Sequence, residues 1–230
     1  MEKLNSEGIR GIVVQTLITL LAFAVMFAAA GTLAWVNGWI LVALVLLDWL
    51  VSLAILARVN PEVLNARSRV SRENTLWFDR LNMAVVPVLT VAGVIVMAFD
   101  AVRFQWSVMP FWLSIVGIIL VLPAYACGTW TIAVNRFFEW TARLQSDRGQ
   151  YVCTSGPYSF IRHPGYACYI VTKLAYPLIL GSWWGFLPGG ILIVLFIIRT
   201  ALEDLALQRD LPGYREYAGR VKYRLLPPVW

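Results

Sequence analysis

Long apolar blocks separated by short polar stretches dominate this chain. A helix needs about 20 consecutive apolar residues to cross a bilayer. Four blocks meet or approach that length. Residues 11–30 carry no charge, and residues 38–57 carry one, Asp48. Residues 83–99 are uncharged and contain Pro87, and residues 111–134 are uncharged and contain Pro123. A further apolar region, 166–198, is broken by Gly181, Ser182, Trp183, Trp184 and Gly185, a turn carrying interfacial tryptophans. It predicts two more helices and six spans in all. Residues 166–180 cover only roughly 22 Å at 1.5 Å per residue, against a hydrocarbon core of about 30 Å. Five spans plus a helical hairpin inside the bundle is the alternative count. Either way the expected fold is an all-α integral membrane protein.

The positions of lysine and arginine orient these helices. Basic residues lie before the first block (Lys3, Arg10) and after the second (Arg58, Arg67, Arg69, Arg72, Arg80). They recur after the fourth (Arg136, Arg143, Arg148, Arg162) and at the C-terminal end (Arg199, Arg209, Arg215, Arg220, Lys222, Arg224). The first and fifth connections have none and the third only Arg103. Six spans place every basic segment on one side, so both termini are expected in the cytoplasm of a multi-pass protein. The bias fits a bacterial inner membrane or the endoplasmic reticulum. The first apolar block has no small-residue cleavage site after it and reads as a retained span.

Composition agrees. Of 230 residues, 60% are hydrophobic and 14% charged, where a soluble domain carries about 25% charged residues. The net charge of +6 is dispersed among apolar spans and forms no stripe for nucleic acid. Three cysteines, Cys127, Cys153 and Cys168, show no CxxC spacing, and His163 is the single histidine. A zinc site wants about four clustered ligands, so no metal and no disulfide framework is expected. Composition shifts near Asn135. Residues 1–134 hold four plain transmembrane helices. Residues 135–230 hold a polar loop, a helical pair and a polar tail, where the chemistry concentrates.

Within that region Gly149, Gly156, Pro157 and Pro164 argue against continuous helix after about Gln145. Residues 150–154 could be extended, with backbone groups free for a ligand; a solvated loop is the plainer reading. Pro164 suits a first helical turn, which puts His163 at a helix N-terminus, where an anionic group is received well. Arg162 and His163 could equally mark the interface only. Arg199 and Glu203, four apart, share a helix face directly after an apolar run, near membrane depth. Ionisable groups there usually face a partner or a cavity, although an intrahelical ion pair closing the span is the simpler account. Lys173 would snorkel or pair with Glu203 or Asp204, and Asp48 is ambiguous. Trp230 fits an interfacial anchor at the end of an amphipathic tail.

The string GPYSFIRHPGY, about thirty apolar residues, RTALED and then GYREYAGRVKYRLLP together resemble the isoprenylcysteine carboxyl methyltransferase family. The phospholipid N-methyltransferases are more distant relatives by the same pattern. The resemblance covers residues 135–230 and implies a cytoplasmic S-adenosylmethionine site built by the C-terminal third. By position, Gln145 matches a cofactor-contacting glutamine at the end of the preceding helix. Gln150, Tyr151, Val152 and Cys153 match the segment along the cofactor, and Tyr158 the tyrosine of a G-x-Y. His163, Pro164, Gly165 and Tyr166 match the H-P-x-Y that holds the methyl donor. Glu203 matches a cofactor-contacting glutamate, and Arg199, the expected catalytic residue, an arginine near the substrate. Asp204 stands where the family commonly has a second Glu, so a weakened contact is expected there. The loop between Gln145 and Gln150 is shorter than in eukaryotic members.

The residues suit that donor. A helix N-terminus with His163 fits its carboxylate. Glu203 fits its ammonium or ribose hydroxyls, and Tyr158 and Tyr166 fit its adenine or cationic sulfur. The implied activity is methyl transfer to a lipophilic small-molecule or prenylated substrate reached from the bilayer, possible with a carboxylate, amine, phenol or thiol nucleophile. Two other classes compete. A membrane NADPH-dependent reductase of related fold needs a basic cluster for the 2′-phosphate, for which Arg143 and Arg148 are the only candidates. A non-enzymatic membrane binding protein would use the polar residues only to close the bundle.

Overall fold

The structure, a computed structural model, describes residues 3–68 and 75–230. Arg69 and Arg72 of the second basic segment lie outside the described residues. Among the described residues the fold is all-helical and contains no named strand. Its helices are α1 (Ser6–Ala30), α2 (Val36–Val59), α3 (Pro61–Arg67), α4 (Trp77–Ala98), α5 (Phe111–Val134), α6 (Pro164–Leu180), α7 (Phe186–Asp210) and α8 (Tyr214–Arg220).

Local chemistry sets the boundaries. The Asn5 side chain accepts from Gly8 N at 2.8 Å and opens α1, and Gly31, at φ 73°, closes it. Asn60 caps α3 with Pro61 in its first turn, as the missing proline N–H permits. Gly181 ends α6 in a left-handed conformation at φ 79°, which glycine adopts without a Cβ clash.

Among the described residues four helices are long and apolar enough to cross a membrane: α1, α2, α4 with its π-helical extension to Arg103, and α5. Their outward faces carry Leu17, Leu21, Leu50 and Ile119, all well exposed, as lipid contact requires. Inside, Met26, Phe27, Leu41, Met97, Val121 and Ile179 form one apolar core. The α6–α7 pair packs against α5 and α4. Helix α6 has 17 residues and α7 has 25. The second half of α7 is polar, so only its first half is membrane-like.

Helices α5 and α6 approach closely because Gly117 has no side chain. A Cβ there would meet Ala175 O at 2.8 Å and Ile179 Cγ1 at 2.8 Å. Gly117→Leu is expected to lower the thermal unfolding temperature in detergent, the overpacking costing about 1–3 kcal/mol or more. At the pole away from the long loop, the Gly181–Gly185 turn is held by Asp100. This fully buried carboxylate accepts from Ser107 Oγ at 2.6 Å, Ser182 Oγ at 2.7 Å and Trp184 N at 3.1 Å.

Candidate functional site

Between α5 and α6 the chain makes no α-helix, only two short 3-10 turns, Ser146–Arg148 and Gly156–Ser159. Gln145 therefore does not end a helix. Helix α5 stops eleven residues earlier at Val134, where Asn135 turns extended. Residues 150–154 pair with no strand among the described residues, and the segment is held by side chains and by its flanks. Leu76 N donates to Ala142 O at 3.1 Å, and Ala142 N to Asp79 Oδ2 at 2.7 Å. Arg162 N and His163 N donate to Tyr223 O and Arg224 O, both at 2.9 Å. The start of α4 and the C-terminal tail thus clamp the loop from opposite ends.

Beneath this clamp lies one cavity of about 560 Å³. Pockets that enclose drug-sized ligands run roughly 300–1,000 Å³. Gln145, Gln150, Tyr151, Val152, Cys153 and Tyr158 line it from the loop. His163, Gly165 and Tyr166 line it from the start of α6, and Arg199 and Glu203 from α7. Pro164, in the first turn of α6, does not line it; its role is to start the helix.

His163, Tyr166 and Glu203 converge. The His163 ring stacks parallel to Tyr166, centroids 5.7 Å apart at 4°. Tyr166 Oη donates to Glu203 Oε2 at 2.5 Å. The Arg199 guanidinium stands 5.1 Å from the centre of the Tyr166 ring. Tyr158, buried, has its hydroxyl fixed by Asn135 Nδ2 at 2.8 Å, and burial pushes its phenol above the ordinary value. Gln145 is buried with its amide engaged, donating to Phe137 O at 2.7 Å and accepting from Arg148 at 2.6 Å. Its side chain therefore shapes the wall. Tyr151 is largely exposed, set edge-on to Phe137 at 5.0 Å. Cys153 Sγ donates to Val134 O at 3.5 Å.

Arg199 and Glu203 share a face but do not pair with each other among the described residues. Arg199 Nη2 lies 2.8 Å from Asp79 Oδ1, and it donates to Trp140 O at 3.0 Å. Its Nε is buried and lacks a hydrogen-bond partner among the described residues. An orphaned guanidinium N–H on a cavity-lining residue is costly unless a ligand satisfies it. Asp79, fully buried in the first turn of α4, went unnoticed in the sequence. The available signal was an acid heading a transmembrane helix while an arginine stood at membrane depth elsewhere.

Asp204 is not a weakened cofactor contact. It is fully buried behind the cavity and does not line it. It lies 2.8 Å from Arg162 Nε and 2.8 Å from Arg224 Nε. It accepts from Tyr214 Oη at 3.0 Å and from Gln208 Nε2 at 2.7 Å, with His163 Nε2 at 3.4 Å. One carboxylate ties the loop, α7, α8 and the tail together, and its short side chain suits a slot already full of donors. Lys173 does not reach either acid of α7. Its ammonium sits over the Tyr169 and Tyr176 rings, at 4.5 and 5.5 Å. Trp230 folds back on the tail under the Arg224 guanidinium, 4.9 Å away.

The two arginines that a 2′-phosphate would need are already matched with acids. Arg143 lies 2.8 Å from both Glu139 and Asp147. The Glu139 bond and then the Asp147 bond hold its guanidinium above its ordinary value, and Arg143 in turn holds the Asp147 carboxyl down. Arg148 lies 2.7 Å from Glu62 and 3.0 Å from Glu139. With Arg136, 3.0 Å from Glu62, three arginines and three acids make a neutral brace on the loop. Among the described residues no three His, Cys, Asp or Glu side chains gather as a metal site.

Residues 112–211 match the phospholipid methyltransferase family. The matched stretch holds all but the tip of α5, the whole clamped loop, α6 and α7, which carry every residue named above as lining the cavity. The match indicates a methyltransferase. No curated protein matches the chain. The resemblance to the isoprenylcysteine carboxyl methyltransferases and the phospholipid methyltransferase match meet on the same segment.

Proposed function

We propose that this protein is an integral-membrane, S-adenosylmethionine-dependent methyltransferase whose acceptor is lipophilic. The observation that carries this reading is the single cavity on which the His163–Tyr166–Glu203 array and the orphaned Arg199 Nε converge. Six crossings, with α6 and α7 completing the bundle, put the basic pole and both termini in the cytoplasm, where the donor is dissolved. Isoprenylcysteine-like carboxyl groups are one acceptor class compatible with this arrangement.

S-adenosylmethionine, when bound, supplies a methyl group made electrophilic by a sulfonium. Glu203, held by Tyr166, takes the ammonium or the ribose hydroxyls. The start of α6, with His163, takes the carboxylate. Gln150, Tyr151, Val152, Cys153 and Tyr158 flank the remainder, with Gly165 leaving room at the helix start. A Cβ at Gly165 would meet the Phe138 ring at 2.6 Å. Arg199, anchored through Nη2 by Asp79, offers its Nε edge to a polar group of the acceptor. The rate gain comes from alignment and exclusion of water.

Calorimetric titration of the purified protein with S-adenosylmethionine, its demethylated product and NADPH separates the readings. Binding of the first two at micromolar levels without NADPH binding is the expected result. NADPH binding alone would establish the reductase, and binding of none of the three a non-enzymatic role. His163→Ala is expected to weaken donor binding about tenfold or more, since it removes both a ring wall and a polar contact. Unchanged affinity would take His163 out of the donor site.

A further inference from the structure

The cavity does not end at the donor residues. On α5 its lining positions run from Ile132 through Thr129 and Tyr125 to Ala124, roughly 12 Å of helix at 1.5 Å per residue. The deep lobe is walled by Met83, Val86 and Pro87 of α4 and by Cys168 and Thr172 of α6. At its α2 wall stands Asp48, within a helix long and apolar enough to cross the bilayer.

Asp48 differs from the other acids that the bundle encloses. Asp79, Asp100 and Asp204 are each fully buried and meet two or more donors from other segments. Asp48 is half-buried, and its hydrogen bond is to Ser52 Oγ of its own helix, at 3.3 Å. The inter-helix tie is made by Ser52, which pairs with Thr129 of α5, and not by Asp48 itself. Lys173 is engaged with ring faces, and no cation pairs with Asp48 among the described residues. A carboxyl group at this depth is costly without a partner. A purely hydrocarbon chain filling the lobe would expel water from Asp48 and put nothing in its place.

We infer that the deep lobe is an acceptor pocket with a polar end, and that Asp48 receives a hydrogen-bond donor on the acceptor, a hydroxyl or an amine distant from the methylated atom. The acceptor is thus a lipophile polar at both ends, and within the isoprenylcysteine-like class one whose chain carries a polar group at its far end. This rests on the methyltransferase reading and names the substrate class of that same site.

The test uses paired probes on the full chain in detergent, with donor binding measured on the same samples. Each pair carries one head group, a carboxylate, amine, phenol or thiol, on a geranyl chain ending either in methyl or in hydroxyl. Equilibrium binding is read by tryptophan fluorescence or calorimetry. For at least one head group the hydroxyl-ended probe is expected to bind about tenfold tighter or more, as a buried hydrogen bond to a carboxylate requires. The preference should vanish in Asp48→Ala and survive in part in Asp48→Asn. If no hydroxyl-ended probe outbinds its partner, or if the preference persists in Asp48→Ala, the inference is overturned. Loss of S-adenosylmethionine binding in the wild type would instead strike the methyltransferase reading, so the two failures are distinguishable.

Discussion

Asp204→Ala is expected to cost about 3–5 kcal/mol of stability, the scale for breaking a buried ion pair from one side. Arg162, itself buried, would lose the acid 2.8 Å from its Nε, and Arg224 would lose the same partner. Tyr214 Oη and Gln208 Nε2 would be left to find other acceptors. Because Arg162 and His163 open α6 while Tyr214 belongs to α8, the damage should spread across the donor pole. Thermal unfolding followed by tryptophan fluorescence in detergent measures the loss. Asp204→Asn should recover only part of it, since an amide keeps the shape but not the charge. Asp204→Glu is the sharper control. If Asp204 were a shortened cofactor contact, the added methylene would improve donor binding. In a filled slot it should instead destabilise by about 1–3 kcal/mol and leave donor affinity no better.

Arg199→Ala is expected to reduce turnover about 100-fold or more, the usual scale for removing a fixed donor from a reacting centre. Donor affinity should fall by less than about threefold, because Glu203 is held by Tyr166 and not by Arg199. The variant carries a second cost. Asp79 would stay fully buried with only Ala142 N as donor among its described contacts. Adding Asp79→Asn to Arg199→Ala removes that stranded charge, so the double variant should be more stable than Arg199→Ala alone. Turnover should not recover with stability. Equal losses of donor binding and turnover in a folded Arg199→Ala would assign Arg199 to the donor instead. Recovery of turnover in the double variant would reduce it to a structural ion.

Much of the cavity's lining was legible residue by residue. His163, Tyr166 and Glu203 stand together in the cavity because two helices joined by a five-residue turn must run side by side, which brings the start of α6 near the later turns of α7. The partners of Arg199, Glu203 and Lys173 were harder. Arg199 lies one turn from Glu203, so the sequence offered an intrahelical pair. The fold gave Arg199 to Asp79, 120 positions earlier, and Glu203 to Tyr166. Lys173 could snorkel or pair with an acid of α7 by sequence, but Glu203 and Asp204 are engaged elsewhere and aromatic faces take the cation instead.

Gln145 shows the same limit in backbone terms. The apolar block 111–134 matches α5, but glycines and prolines alone did not show that the segment from Asn135 to Gln145 is already irregular and held by side-chain bonds.

By itself, the order of apolar and polar residues determined an all-α membrane protein and placed four helices long enough to cross the bilayer and the turn between α6 and α7. Those are properties of hydropathy, helical period and chain-breaking residues, which act over a few turns of one segment. Tertiary structure alone decided which buried charge meets which, that Asp204 braces while Asp79 anchors, and that the cavity reaches Asp48 deep in α2. Burial makes each unpaired charge expensive, so the fold must match them through space, and the partners come from whichever helix packing brings within about 3 Å.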